Sequence, residues 1–131
     1  MRITALNQNE LETLRILWAE GELKPAELQE RFSWPIENAT LRSVLVNLVE
    51  KGQITRERRG KAYFYGASAD KTALLQSMGR MMARVFAGGS HRDLVAQLVE
   101  TGDIKPADLE LIRRAARDSS PQKAERERKK S

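Results

Sequence analysis

The sequence predicts a mostly α-helical chain carrying one small β-hairpin, and three observations predict it. Apolar residues recur at helical spacing through most of the 131 residues. One stretch, residues 53–66, is instead rich in β-formers around Arg59-Gly60. Gly21, Pro25, Gly52, Gly88-Gly89, Gly102 and Pro106 supply the stops and starts that divide the helical stretches into six.

The first helix opens at Asn7, a good N-cap, with Glu10 three residues on as in a capping box. Leu6 and Leu11 flank the cap as a hydrophobic staple, and Leu11, Leu14, Leu17 and Trp18 form the buried stripe. Gly21 ends it. The second helix carries Pro25 in its first turn, where the missing N–H costs nothing, and runs to about Phe32 with Leu28 on the same side. Trp34-Pro35 breaks the chain, because a residue preceding proline is driven out of the helical region.

The third helix runs from about Glu37 to Lys51, and Gly52 stops it. Leu41, Val44, Leu45 and Leu48 share one face. Ala39, Arg42, Ser43, Val46, Asn47 and Glu50 lie opposite. That outer face is short-chained, able to hydrogen-bond and poor in negative charge, which is what a helix needs to bring side chains to base edges in a major groove. Two strands follow, Gln53–Arg58 and Lys61–Gly66, with Arg59-Gly60 between them. Arginine is not favoured at the first position of a two-residue turn, so the loop is expected to be one or two residues longer. Arg58, Arg59 and Lys61 crowd the tip. Charge alone protects many exposed hairpin edges from pairing. Directly after a helix with such an outer face, however, the basic hairpin reads as a wing. Three helices and then a basic hairpin make a winged helix-turn-helix, assigned to residues 1–68.

Residues 69–117 return to helical spacing. Asp70 caps a helix bearing Leu74, Leu75, Met78, Met81, Met82, Val85 and Phe86. Ser90-His91-Arg92-Asp93 opens the next, with Leu94, Val95, Leu98 and Val99, as a second capping-box-like start. Pro106 opens the last, with Leu109, Leu111 and Ile112. About 49 residues sit near the lower limit for a self-supporting core, yet this stretch is dense in large apolar side chains. It most simply buries the surplus against a second copy, as a three-helix dimerisation domain. The methionines are read as core or interface filler rather than as a ligand pocket. Residues 118–131 alternate acid and base without an apolar stripe and read as a disordered charged tail.

Net charge is +5, but its distribution says more. Arg42–Lys61 holds six basic residues against Glu50 and Glu57, while Glu10, Glu12, Glu20, Glu22, Glu27, Glu30 and Glu37 gather earlier. Such polarity suits a polyanionic partner. With no cysteine and one histidine, thiolate chemistry, disulfides and two-histidine metal sites are excluded, and neither a metal nor a cofactor is expected. Ser90, His91 and Asp93 are consecutive at one helix start, whereas a triad needs convergence from separate segments. No enzymatic function is expected. No apolar run approaches the ~18 residues of a membrane span, and Met1–Asn9 lacks a signal-peptide core. A cytoplasmic, nucleoid-associated protein is expected.

Taken together, Leu6–Trp18 with Gly21, Thr40–Leu45 through Leu48, Glu50-Lys51-Gly52, Arg56–Tyr65 and Phe86–Ser90 carry a resemblance. Leu94-Val95 and Asp108–Glu110 also fit. Over roughly residues 3–116 the chain resembles the penicillinase-repressor family of bacterial transcriptional regulators, the BlaI/MecI/CopY type. The resemblance implies a homodimeric winged-helix repressor that binds an inverted-repeat operator in double-stranded DNA and blocks transcription sterically. Carried over by position, Thr40, Arg42, Ser43, Val46 and Asn47 would lie in or beside the major groove. Arg58, Arg59 and Lys61 would reach the backbone or minor groove. Asn47 stands where relatives often have arginine, so the target sequence does not transfer. The dimer face would comprise Leu74, Leu75, Met78, Met82, Phe86, Leu94, Val95, Leu98, Leu109 and Ile112. Copper-responsive relatives carry a cysteine-rich metal hook that this chain lacks. Antibiotic-responsive relatives are inactivated by a cut at an Asn-Phe bond, and Gln97-Leu98 occupies the corresponding position. That departure weakens the case for a membrane sensor-protease as partner. Two rival readings are a winged-helix protein-interaction module, which would not need the basic wing, and a nonspecific nucleic-acid-binding protein, favoured only by tail and wing charge.

Overall fold

A computed structural model describes residues 5–118. The elements run α1 (Gln8–Glu20), α2 (Pro25–Arg31), α3 (Asn38–Glu50), β1 (Ile54–Arg59), β2 (Ala62–Ala67), α4 (Lys71–Ala87), α5 (His91–Glu100) and α6 (Pro106–Asp118). They divide into two compact units between Met78 and Gly79, inside α4. The charged tail expected over 118–131 lies, beyond Asp118, outside the described residues.

In the first unit, the predicted inner faces meet. Leu14, Leu17, Leu28, Leu41, Val44, Leu45, Leu48, Ile54 and Tyr65 form one buried cluster. Ile16 belongs to it at 1% exposure, although it lies off the stripe that spacing picks out, because α1 is covered on two sides. Leu6, Trp18, Phe32, Ile36 and Leu74 pack around the cluster. Leu74, from the first turn of α4, thus contacts the winged-helix core. Trp18 Nε1 donates to Ala69 O at 3.0 Å and so fastens the chain beyond β2 to α1.

The α1 capping box is complete: Glu10 N donates to Asn7 Oδ1 at 2.8 Å and Asn7 N to Glu10 Oε1 at 2.9 Å. Glu10 is nonetheless 1% exposed, and a carboxylate so buried needs a cation. Lys51 Nζ, just past the end of α3, supplies it at 2.8 Å. Glu12 plays a matching role at the other end of α3. It accepts from Arg15 Nε and Nη2 at 2.7 and 2.8 Å, from Ser33 N at 2.8 Å and from Ser33 Oγ at 2.7 Å. The Arg15 hydrogen bond, reinforced by both Ser33 bonds and outweighing desolvation, lowers its pKa from 4.5 to about 2. The loop leading into α3 is thereby tied to α1.

The hairpin corrects the expected turn. Arg59 pairs with Ala62, so the loop is the two residues Gly60-Lys61, shifted one position from Arg59-Gly60 and no longer than two. Gly60 takes φ +62°, and no non-glycine residue among the described residues has positive φ. A two-residue loop with positive φ at its first central position alone calls for glycine there. The turn chemistry therefore moves the turn one position along the chain, and Arg58 pairs with Tyr63 instead of Lys61. Leu23, between α1 and α2, adds a short bridge to Tyr65, with N–H···O distances of 3.0 and 2.9 Å in the two directions.

In the second unit, Gln97 Nε2 donates to Phe86 O at 2.7 Å, holding α5 to the end of α4. Ser90 Oγ accepts from Asp93 N at 3.1 Å, but no bond from Asp93 back to the Ser90 N–H accompanies it, so only half of the expected box forms. Ala83 is the one fully buried apolar residue of this unit among the described residues. Met82, Val85, Phe86, Val95, Leu111 and Ile112 are exposed, Phe86 at 60%. Leu75, earlier in α4, is exposed too, while Met78, Leu94, Leu98 and Leu109 are half-buried. Gln97-Leu98 lies within α5, so a protease would have to unwind that helix to reach the bond.

Candidate nucleic-acid interface

The outer face of α3 is open along its length. Thr40, Arg42, Ser43, Val46 and Asn47 are all exposed, while Leu41, Val44, Leu45 and Leu48 are buried. Arg42 Nε donates to Asn38 Oδ1 at 2.7 Å, one turn back, which holds the guanidinium along the helix toward its N-terminus. Its remaining N–H groups stay available for a bidentate acceptor such as a guanine edge. Val46, 54% exposed, offers an apolar contact of the kind that suits a thymine methyl. From Asn38 to Val49 there is no acidic residue. This face can therefore approach a polyanion without charge repulsion.

A groove lies between this helix, the start of α2 and the wing. Asn38, Arg42 and Val46 line it from α3, Lys24 and Pro25 from α2, and Arg56, Lys61 and Tyr63 from the hairpin. The cations Lys24, Arg42, Arg56 and Lys61 thus share one depression with no acidic side chain in its lining. Lys24 and Arg56 were not among the expected contact residues. The signal for Arg56 was present in the pattern, two residues from the buried Ile54 and so on the same strand face. Lys24 lacked any, because it sits beside the groove only through the packing of α2 on α3.

The three wing residues singled out from sequence separate. Lys61 lines the groove. Arg58 Nε donates to Gly60 O at 3.0 Å, across the loop, and its guanidinium lies 6.0 Å from the Tyr63 ring. Arg59 lies on the opposite strand face. There it bonds Glu22 and Glu57 and stacks 4.8 Å over Phe64. The Glu57 hydrogen bond, with Glu22 adding to it, raises its pKa above the ordinary arginine value. Alternation along the strand is the cause: the moved turn makes Arg59 the last residue of β1, and successive strand residues face opposite sides.

Among the described residues no group of three or more His, Cys, Asp or Glu side chains could hold a metal ion. No described helix is long and apolar enough to cross a membrane.

The family model for the penicillinase repressor matches residues 6–118. An uncharacterised 16.5 kDa protein of Latilactobacillus sakei, from the ptsI 3′ region, is 21% identical over 108 residues, which cover 79% of this chain and 73% of that protein. Among solved structures, Bordetella bronchiseptica BpsR, whose DNA binding is regulated by 6-hydroxynicotinic acid, superposes with TM-score 0.50. It is 19% identical, with 88% of this chain and 75% of that chain covered. Bacillus licheniformis BlaI, solved as a monomer with the blaP half-operator, gives TM-score 0.44 and 20% identity, over 54% of this chain and 89% of that one. At such identities the likeness to BpsR shows the winged-helix fold and nothing finer.

Proposed function

The chain belongs to the penicillinase repressor family of DNA-binding transcriptional regulators, and from that premise we propose that it is a homodimeric repressor reading an inverted-repeat operator. One observation carries the reading. The exposed face of α3, acid-free from Asn38 to Val49, and the cations of the wing border the same groove. A duplex laid there would meet base-reading side chains and backbone-gripping charges together.

In this mechanism Arg42, Ser43, Val46 and Asn47 enter a major groove, with Thr40 at the helix start. The second copy presents the same residues about 34–36 Å away, one helical turn along the same DNA face. Occupancy of the promoter then excludes polymerase sterically. The apolar surface left on α4–α6, with Phe86, Val95 and Ile112 among its exposed residues, supports pairing of two copies through this part of the chain. A patch of this kind is seldom left bare in a soluble monomer. On this reading the protein works in the cytoplasm, at the nucleoid.

A gel-shift of the full chain on duplex DNA from upstream of its own gene, at two salt concentrations and with random duplex and RNA as competitors, tests the reading. Retention on the upstream DNA in the presence of random duplex supports it. Equal displacement by random duplex or RNA points to a nonspecific binder, and no shift at low salt points to a protein-docking module.

A further inference from the structure

The cations of the hairpin differ in what already holds them. By register, Arg56 and Arg58 share a strand face with buried Ile54 and with Tyr63 and Tyr65 opposite, whereas Glu57 and Arg59 face the other way with Phe64. Arg56 sits 4.5 Å over the Tyr63 ring. A cation–π contact fixes the direction of a guanidinium without neutralising it, so its donors stay free for a phosphate. Arg56, Lys61 and Lys24 form no ion pair with any described carboxylate. Arg59 forms two. A phosphate drawn to Arg59 would have to compete with both carboxylates for its charge.

The Arg59 contact has a structural logic of its own. Glu22 reaches it across Gly66, where a Cβ would stand 3.2 Å from Glu22 Cγ. The segment after α1 is bridged to β2 at Leu23 and Tyr65. The wing is therefore fastened to that segment twice, by the backbone bridge and by Arg59–Glu22.

Resting on the DNA-binding reading above, we infer that the DNA backbone is gripped in the groove by Lys24, Arg56 and Lys61, and that Arg59 is a positioning residue that sets the wing without touching DNA. The separation shows in the salt dependence of binding. Each phosphate contact contributes about 0.9 to the slope of log K against log salt. The experiment measures that slope for the full chain on its own upstream duplex, with unfolding of each variant followed in parallel.

Lys24→Ala, Arg56→Ala and Lys61→Ala should each reduce the slope by about 0.9 for every chain on the duplex. Arg56→Lys, which keeps the charge, should keep it. Arg59→Ala should leave the slope unchanged while weakening binding to all sequences alike, with the unfolding midpoint unmoved. Loss of a slope increment in Arg59→Ala together with its retention in Arg56→Ala would overturn the assignment. So would equal loss in Arg56→Ala and Arg56→Lys. A wild-type chain that does not bind the duplex at low salt overturns the functional reading itself, an outcome distinct from either.

Discussion

Acid should loosen the seat of α3 through one residue. Glu12 holds the loop before α3 by two bonds to Ser33 and is held in turn by Arg15. Its pKa in the folded chain is about 2, against 4.5 ordinarily. A folded pKa lowered in this way contributes stability that is fully present above pH 4.5 and is lost as the pH falls toward 2. If the whole difference were realised, it would be worth about 3 kcal/mol. Arg15 is 56% exposed, so solvent screens the leading contribution and about 1–2 kcal/mol remains. Urea unfolding of the wild type and of Glu12→Gln, measured at pH 5 and again near pH 2, isolates it. Tryptophan fluorescence is the right probe, because Trp18 and Trp34 both belong to the first unit and Trp34 packs on Phe32 beside the loop, 5.8 Å between centroids. The wild type should lose about 1–2 kcal/mol more than the variant over this interval. Parallel losses would show that Glu12 does not hold the loop that seats α3.

Other substitutions probe the remaining links. Leu48→Ala, at a fully buried position of α3, should destabilise the first unit by about 2–5 kcal/mol in the same urea assay. Phe86→Asp, placing a charge on the exposed apolar surface of α4, should convert a dimer to a monomer by light scattering while leaving the first unit's fluorescence transition in place. Arg42→Ala should relax preference among operator sequences, with a loss of about 1–3 kcal/mol confined to the cognate site, whereas Lys61→Ala should weaken cognate and random duplexes equally.

Much of the first unit was legible because its signals are local. Leu41, Val44, Leu45 and Leu48 announce α3 and its inner face together, and the outer face follows by exclusion. The capping box of α1 needs only Asn7 and Glu10, three residues apart. What escaped depends on distance along the chain. Leu23 joins β2 through a single bridge, too short to carry any periodicity. Glu10 reads as a solvated helix-start acid until Lys51, 41 residues on, arrives beside it. Arg59 looks like Arg58 in sequence. The moved turn takes Arg59 into β1, where alternation turns it away from Arg58, and Glu22, from 37 residues away, pairs with it there. Lys24 joined the groove for a similar reason, since the packing of α2 on α3 has no signature in α2 alone.

We propose that this chain grips DNA through a small set of wing-side cations and reads sequence with α3. Equilibrium binding of the full chain to its own upstream duplex and to a random duplex, from 50 to 200 mM salt, tests it most directly. With three phosphate contacts per chain and two chains on the duplex, the slope of log K against log salt should be about −5, so that affinity falls roughly a thousandfold over this range. The upstream duplex should bind more tightly at every salt concentration. A slope near zero, or equal affinity for the two duplexes throughout, would rule out this mode of binding.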